Sequence, residues 1–258
     1  MSEPLHRRYL HFSELPTSLR VLYTGVLALM GAGYLFAIIY LYHTYSGRDG
    51  DTTSMTYQDV VIAYSGSGKG SKLEAALNGP MATMLPAEDR KGVIAWVQGG
   101  ADRSQFETDI MPVLEKRCVA CHDGGNPHLS NLSGYDNVKK VTEQDTGADV
   151  FTLVRVSHIH LFGMTFMFFL MGQIFSHAYV RPVWLKASIV VLPFVAIALD
   201  VSSWYFIKIY KPFAAVTMLG GGLMAFSFTF MGVVSMYQMW LGKTPPAVEQ
   251  RGLAGRDL

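Results

Sequence analysis

The sequence predicts an all-α protein: four transmembrane helices, with a small helical module inserted between the first and the second. Three observations predict it. Half of the 258 residues are hydrophobic and only 16% are charged, against roughly 25% in soluble domains. The charges are unevenly spread. Residues 46–157 carry 15 Asp/Glu and 11 Lys/Arg, a net charge of −4, whereas residues 158–241 carry only Arg181, Lys186, Asp200, Lys208 and Lys211. Within the module, no segment alternates apolar and polar residues as a half-buried strand does. A net charge of +1 without a basic cluster argues against a nucleic-acid partner, and the composition argues against a disordered chain.

A hydrocarbon core of roughly 30 Å takes about 20 apolar residues as helix. Residues 21–43 form the first such run, fenced by Arg20. Residues 151–180 hold the second, its apolar stretch lying between Arg155 and Arg181. Residues 184–207 hold the third, which contains Asp200 and stops at Lys208. Residues 212–242 form the fourth, between Lys211 and Lys243. At about 1.5 Å per residue the fourth run exceeds the lipid core, so it tilts or extends beyond it. Pro212 suits a first helical turn, and Gly220, Gly221 and Gly222 mark a weak or closely packed spot. The first run is longer than the roughly 7–15 residues of a signal h-region and no small-residue cleavage site follows it, so it reads as an uncleaved anchor.

Lysine and arginine in short loops set the orientation. The tail at 1–20 carries Arg7, Arg8 and Arg20, the loop after the second run carries Arg181 and Lys186, and the tail at 243–258 carries Lys243, Arg251 and Arg256. These predict two cytoplasmic termini, with Lys208 and Lys211 as an outnumbered opposition. The module at 46–150 then faces outward, which in a bacterial inner membrane means the periplasm. Trp184, Trp204 and Trp240 fall near predicted helix ends, as interfacial aromatics do.

The module opens with turns. Ser65-Gly66-Ser67-Gly68-Lys69-Gly70 invites a phosphate-loop reading but lacks both the spacing between glycines and the Ser or Thr after Gly-Lys. A flexible turn is the better reading. Three helices are then expected. The first is short, at 72–78. The second covers 86–98, with Pro86 at its start, Glu88 and Asp89 in its first turn and Gly99 as its stop. The third covers 103–120, with Phe106, Ile110, Val113 and Leu114 at helical spacing and Pro112 as a kink or restart.

That third helix ends in Cys118-Val119-Ala120-Cys121-His122, the C-x-x-C-H pattern of c-type haem attachment. Residues three apart share a helical face, so both thiols reach one porphyrin edge, and the adjoining His122 supplies the proximal imidazole to iron. A redox dithiol would require a βαβ setting, and a zinc site two further ligands.

The run from Phe106 to His122 resembles the haem-binding helix of small bacterial c-type cytochrome domains. Leu85-Pro86-Ala87-Glu88-Asp89, followed by Ile94-Ala95-Trp96-Val97-Gln98-Gly99-Gly100-Ala101, resembles their closing helix. In those domains the closing helix follows the haem motif; here it precedes it, as in a permuted domain or the remnant of a tandem pair. The resemblance covers residues 70–140 and implies one covalent haem c on Cys118 and Cys121, with His122 as proximal ligand. It also implies a sixth ligand, usually Met. Met84 and Met81 precede Pro86 much as in the family's Gly-x-Met-Pro segment, and His158 or His160, at the outer mouth of the second membrane helix, is the rival. Packing is the plain alternative for the methionines, since Met fills gaps and the chain has 14.

Asp200 lies in the predicted outer leaflet. A central carboxylate in a membrane helix costs roughly 2.5–3.5 kcal/mol on insertion scales, so it faces the bundle and finds a partner. A histidine at the same depth and Lys208 are the candidates. Three readings stay open: Asp200 with His160 or His158 as a quinol and proton site, His43 with His160 as ligands of a haem b, or a packing ion pair beside interfacial histidines. The expected function is electron transfer by a membrane-bound monohaem c-type cytochrome, fed by quinol or seated in a larger respiratory complex. Its acidic module would dock on a basic redox partner. The rivals are a quinol:cytochrome oxidoreductase in its own right and a haem-bearing structural or docking subunit of a membrane oxidoreductase. The double variant Cys118→Ser, Cys121→Ser is expected to lose covalent haem staining on a denaturing gel; a band that still stains rejects the attachment site.

Overall fold

The computed structural model describes residues 10–51, 53–68, 70–127 and 129–249. Arg7, Arg8, Lys69, Arg251 and Arg256, on which parts of the orientation and glycine-loop arguments rest, lie outside the described residues. In chain order the helices are α1 (Thr17–Tyr45), α2 (Tyr57–Ser65), α3 (Lys72–Asn78), α4 (Ala87–Gln98), α5 (Arg103–Gln105), α6 (Met111–Arg117), α7 (Tyr135–Val141), α8 (Val150–Phe175), α9 (Val183–Ile207), α10 (Phe213–Trp240) and α11 (Pro246–Glu249). Among the described residues there is no strand, only an isolated antiparallel bridge between Ser71 and Gln144. Four helices, α1, α8, α9 and α10, are long and apolar enough to cross a membrane.

The chain divides into two compact units. The first holds residues 1–38, 154–204 and 215–258. Its interior is built from Phe168, Met171 and Phe175 of α8, Ala196 and Ile197 of α9, and Met224 and Met231 of α10, all buried. Apolar residues outside this interior stay exposed along the same helices, among them Leu29, Phe162, Val191 and Leu219. Lipid solvates such faces as well as a neighbouring helix would, so close packing rather than water exclusion holds the helices together. Only Leu27 of α1 is fully buried; Tyr34 stacks on Phe228 with centroids 4.4 Å apart. Residues 10–16 add a short 3-10 turn (Phe12–Glu14). His11 Nε2 meets Gln238 Oε1 at 3.2 Å, and His177 Nδ1 donates to the Leu10 carbonyl at 2.8 Å. Burial lowers the pKa of His177, Lys186 pushes it the same way and the Leu10 bond opposes them.

α8 ends at Phe175, short of the predicted 180. The main-chain N–H groups of Ser176, His177 and Ala178 close on the Gly172, Ile174 and Phe175 carbonyls, and just beyond the helix Lys186 Nζ holds the turn by donating to the Ser176 and Ala178 carbonyls at 2.6 and 2.7 Å.

The second unit holds residues 39–153 and 205–214. Leu73 and Leu77 of α3, Leu85, Val93 and Trp96 of α4, Phe106, Ile110 and Leu114 around α6, Leu132, and Val138 of α7 form one core. The Trp96 indole N–H donates to the Asp102 carbonyl at 2.8 Å, and its ring meets that of Phe106 at 5.5 Å. The glycine-rich stretch after Ser65 is non-helical among its described residues, as expected, but a helix that the turn reading of the module's opening did not include precedes it. Thr56 and Asp59 form a capping box that starts α2, whose Val60, Val61, Ile62, Ala63 and Tyr64 are buried.

Two segments of this unit cross at near-contact distance. A Cβ on Gly66 would fall on the Asp145 carbonyl and one on Gly147 on the Tyr64 carbonyl, and both glycines have positive φ, +79° and +71°. Lys208 clasps this crossing. Its ammonium donates to the carbonyls of Tyr64, Thr146 and Ala148 at 2.9, 3.0 and 2.7 Å. Burial lowers its pKa while Asp145 and Asp149 pull the other way. The apparent exception to the lysine pattern is thus a structural cation with its own carbonyl cage. Lys208→Met is expected to destabilise this unit by about 1–3 kcal/mol, since three carbonyls lose a charged donor. Urea unfolding followed at Trp96, with limited proteolysis between α7 and α8, checks it; an unchanged midpoint would refute the clasp.

Candidate functional site

The C-x-x-C-H segment hangs from the core of the second unit. α5 passes into a π-helical turn, Phe106–Ile110, in which Met111 N–H donates to the Phe106 carbonyl five residues back. Pro112 then falls in the first turn of α6, where its missing N–H costs nothing. The expected restart at Pro112 takes this form. Phe106, Ile110 and Leu114 face the core and leave the following turn at its edge. Cys118 N–H donates to the Leu114 carbonyl at 2.7 Å, and the Cys121 and His122 N–H groups both donate to the Cys118 carbonyl, at 3.0 and 2.9 Å.

Cys118 is half-buried against the core and Cys121 is exposed; both thiols are free. Burial raises the pKa of Cys118. His122 is half-buried, with Nδ1 2.8 Å from the Ser130 carbonyl oxygen. A carbonyl only accepts, so Nδ1 is the donor, and in a neutral imidazole the lone pair is then on Nε2. Metal-ligating histidines are held in this way by a carbonyl on the second nitrogen. The return loop fixes the arrangement: Leu132 N–H donates to the His122 carbonyl at 2.8 Å and Asp123 accepts from Gly125 N–H at 2.8 Å. Gly124, at φ +92°, is required there, because a Cβ would stand 2.6 Å from the Asn131 amide. The Ser130 acceptor is a backbone atom in a loop and left no mark in the sequence. Among the described residues no three His, Cys, Asp or Glu side chains converge as a metal-ion site, so the two thiols and His122 do not form a small zinc-type cage.

Of the methionine candidates, Met81 packs against the same core as Cys118, whereas Met84 is 60% exposed. His43 is exposed near the end of α1, its ring against Tyr42. His158 is exposed, its ring edge-on to Phe162, and His160 is half-buried with Nδ1 donating to the Val156 carbonyl at 2.9 Å. His160 and His158 belong to the first unit, His43 to the second.

Asp200 is buried, as expected, but its partner is neither of the expected ones. The Trp204 indole N–H, four residues along α9, donates to Asp200 Oδ1 at 3.3 Å. Lys208 is engaged by its three carbonyls, and the His160 ring meets Trp204 edge-on at 5.3 Å. Trp204 is therefore no interfacial aromatic: it is 4% exposed, against 68% for Trp184 and 44% for Trp240. Gly220 lets α10 approach this spot, since a Cβ there would stand 2.9 Å from Asp200 Cβ; Gly221 and Gly222 have nothing within 4 Å. Of the three glycines only the first is a close-packing position.

A family model described as a transmembrane helical domain matches residues 148–246, the stretch that holds α8, α9 and α10. The chain is a multi-pass membrane protein. No curated protein and no solved structure matches it. The matched stretch carries Asp200, His158 and His160; the Cys118–His122 segment lies outside it. In chain produced without haem, an alkylating reagent at mildly alkaline pH is expected to modify the exposed Cys121 well before the half-buried Cys118, and the Cys118 rate should continue rising at higher pH as its thiol ionises. Peptide mass mapping against time reads both rates; equal rates at every pH would contradict the burial of Cys118.

Proposed function

We propose that the protein is a membrane-anchored monohaem c-type cytochrome that passes electrons at the outer, periplasmic face of a bacterial inner membrane. The observation that carries this reading is the His122 imidazole, tied through Nδ1 to the Ser130 carbonyl beside two free cysteines at C-x-x-C-H spacing. In this reading Cys118 and Cys121 hold the haem through thioethers and His122 offers Nε2 to the iron. The haem supplies a one-electron Fe(III)/Fe(II) couple. The residues of the chain position that couple: the core under Phe106 and Leu114 fixes the helix, and the Asp123–Leu132 return loop orients the imidazole. Met81, which packs against the core that Cys118 also touches, and the exposed Met84 are the two methionine candidates for the sixth position. His158 and His160 are the histidine candidates for the sixth position, and His43 and His160 are the residues proposed as ligands of a haem b.

A second reading, in which quinol is the donor, is favoured by the Asp200 and His160 neighbourhood. His160 has Nδ1 tied to Val156, which leaves Nε2 as a proton acceptor, and its ring rests on the tryptophan that binds the Asp200 carboxylate. The remaining rival is a docking subunit for a larger oxidoreductase.

One purified sample tests these readings in sequence. A pyridine haemochrome spectrum is expected to give one haem c and no haem b per chain; absence of haem c overturns the proposal. A Met–iron charge-transfer band lost in Met81→Leu but kept in Met84→Leu identifies the sixth ligand. A bis-His spectrum altered only in His158→Ala or His160→Ala moves the ligand to α8. Added quinol should reduce the wild-type haem, and Asp200→Asn should slow this at least tenfold, about 1.4 kcal/mol of barrier, without changing reduction by a small soluble reductant. A haem that quinol leaves oxidised makes the bundle an anchor or docking subunit.

A further inference from the structure

The start of α9 holds a cation that electron transfer does not use. Lys186 stands in the first turn of the helix, half-buried. Two of its three N–H bonds go to the Ser176 and Ala178 carbonyls at 2.6 and 2.7 Å. Among the described residues no carboxylate pairs with it. Its partners among the described residues are neutral oxygens, which hold the ammonium in place without neutralising it.

A groove of about 310 Å³ opens beside this ammonium, lined by Ser176, Lys186, Val183, Ala187, Val190 and Val191. Val183, Ala187, Val190 and Val191 follow one another at helical spacing, so they form a single apolar stripe that runs along α9 from the charge. At about 1.5 Å per residue the stripe is about 12 Å long. At Gly172, α8 comes close to α9: a Cβ there would stand 3.5 Å from Val190 Cγ1. Since α9 is one of the helices able to cross a membrane, its first turn lies at headgroup level and the stripe descends beside the acyl chains. The exposed Trp184 belongs to the same turn, and Arg181, just before the helix, lays its guanidinium over the Tyr179 ring at 5.6 Å.

We propose that this groove binds an anionic phospholipid, with its phosphate on Lys186 and an acyl chain along Val183, Ala187, Val190 and Val191. A zwitterionic lipid fills the stripe and also offers a phosphate, but its headgroup cation restores the positive charge, so the site is not neutralised. A free phosphate meets the charge but leaves the stripe unfilled. Basic pockets beside membrane helices select anionic headgroups for this reason. The inference does not depend on the haem reading.

Native mass spectrometry of the full chain in detergent tests it, with phosphatidylglycerol, phosphatidylcholine and inorganic phosphate as probes. The wild type is expected to keep one phosphatidylglycerol in preference to phosphatidylcholine by about fivefold, the contribution of one interfacial cation. Inorganic phosphate should not displace it. Lys186→Gln should bring the two lipids level. Ala187→Trp fills the groove, leaves Lys186 untouched and should release the lipid. Equal retention of both lipids by the wild type, displacement by inorganic phosphate, or phosphatidylglycerol retained by Ala187→Trp would each overturn the site. If Lys186→Gln fails to fold for want of the Ser176 and Ala178 bonds, the wild-type competition and Ala187→Trp still decide.

Discussion

The second unit depends on a backbone crossing that only glycine permits. Near Gly66 and Gly147 two segments approach until carbonyl groups occupy the space of side chains. So close a meeting turns the Tyr64, Thr146 and Ala148 carbonyls toward one another, and their dipoles repel unless something positive stands between them. The Lys208 ammonium does. The start and the end of the module, more than 80 residues apart, are joined here, so closing the loop between them costs chain entropy that these bonds help to offset. With the ends joined, α3, α4, α6 and α7 can share one core and present the Cys118–His122 turn at its edge.

The candidate site rests on a separation of labour between side chains and main chain. The residues proposed to hold a haem, Cys118, Cys121 and His122, would do so through side chains. What orients them is main chain: the Ser130 carbonyl on His122, the Cys118 carbonyl shared by two N–H groups, and the hydrogen bond from Leu132. The same holds in the first unit, where main-chain carbonyls at Leu10 and Val156 fix the Nδ1 tautomer of His177 and His160.

Much of the helical architecture was legible because its signals are local. An apolar run bounded by charges declares a span, and Pro112 declares a break in the helix that contains it. The capping box of Thr56 and Asp59 was equally local, but the glycines that follow α2 drew the segment toward a turn reading. What the sequence did not carry was tertiary: the engagement of Lys208, the preference of Asp200 for Trp204 over a histidine or a lysine, and the singular role of Gly220 among three adjacent glycines. A lysine at a helix end scores the same in a loop-charge count whether it meets lipid headgroups or a carbonyl cage. A tryptophan near a predicted helix end suits an interface whether its indole faces lipid or an acid one turn away. Only the packing of neighbouring helices separates these cases.

The bond between Trp204 and Asp200 has a consequence for biosynthesis. Both residues belong to α9 and lie one turn apart, so the pair can form as soon as that helix winds. A carboxyl group that had to await a partner on another helix would enter lipid unsatisfied and favour return to water. Here the donor travels with the acceptor, and its indole ring shields one side of it. α9 can thus enter the bilayer as an autonomous segment, before α10 brings Gly220 against it, and assembly of the bundle becomes a second event that follows insertion.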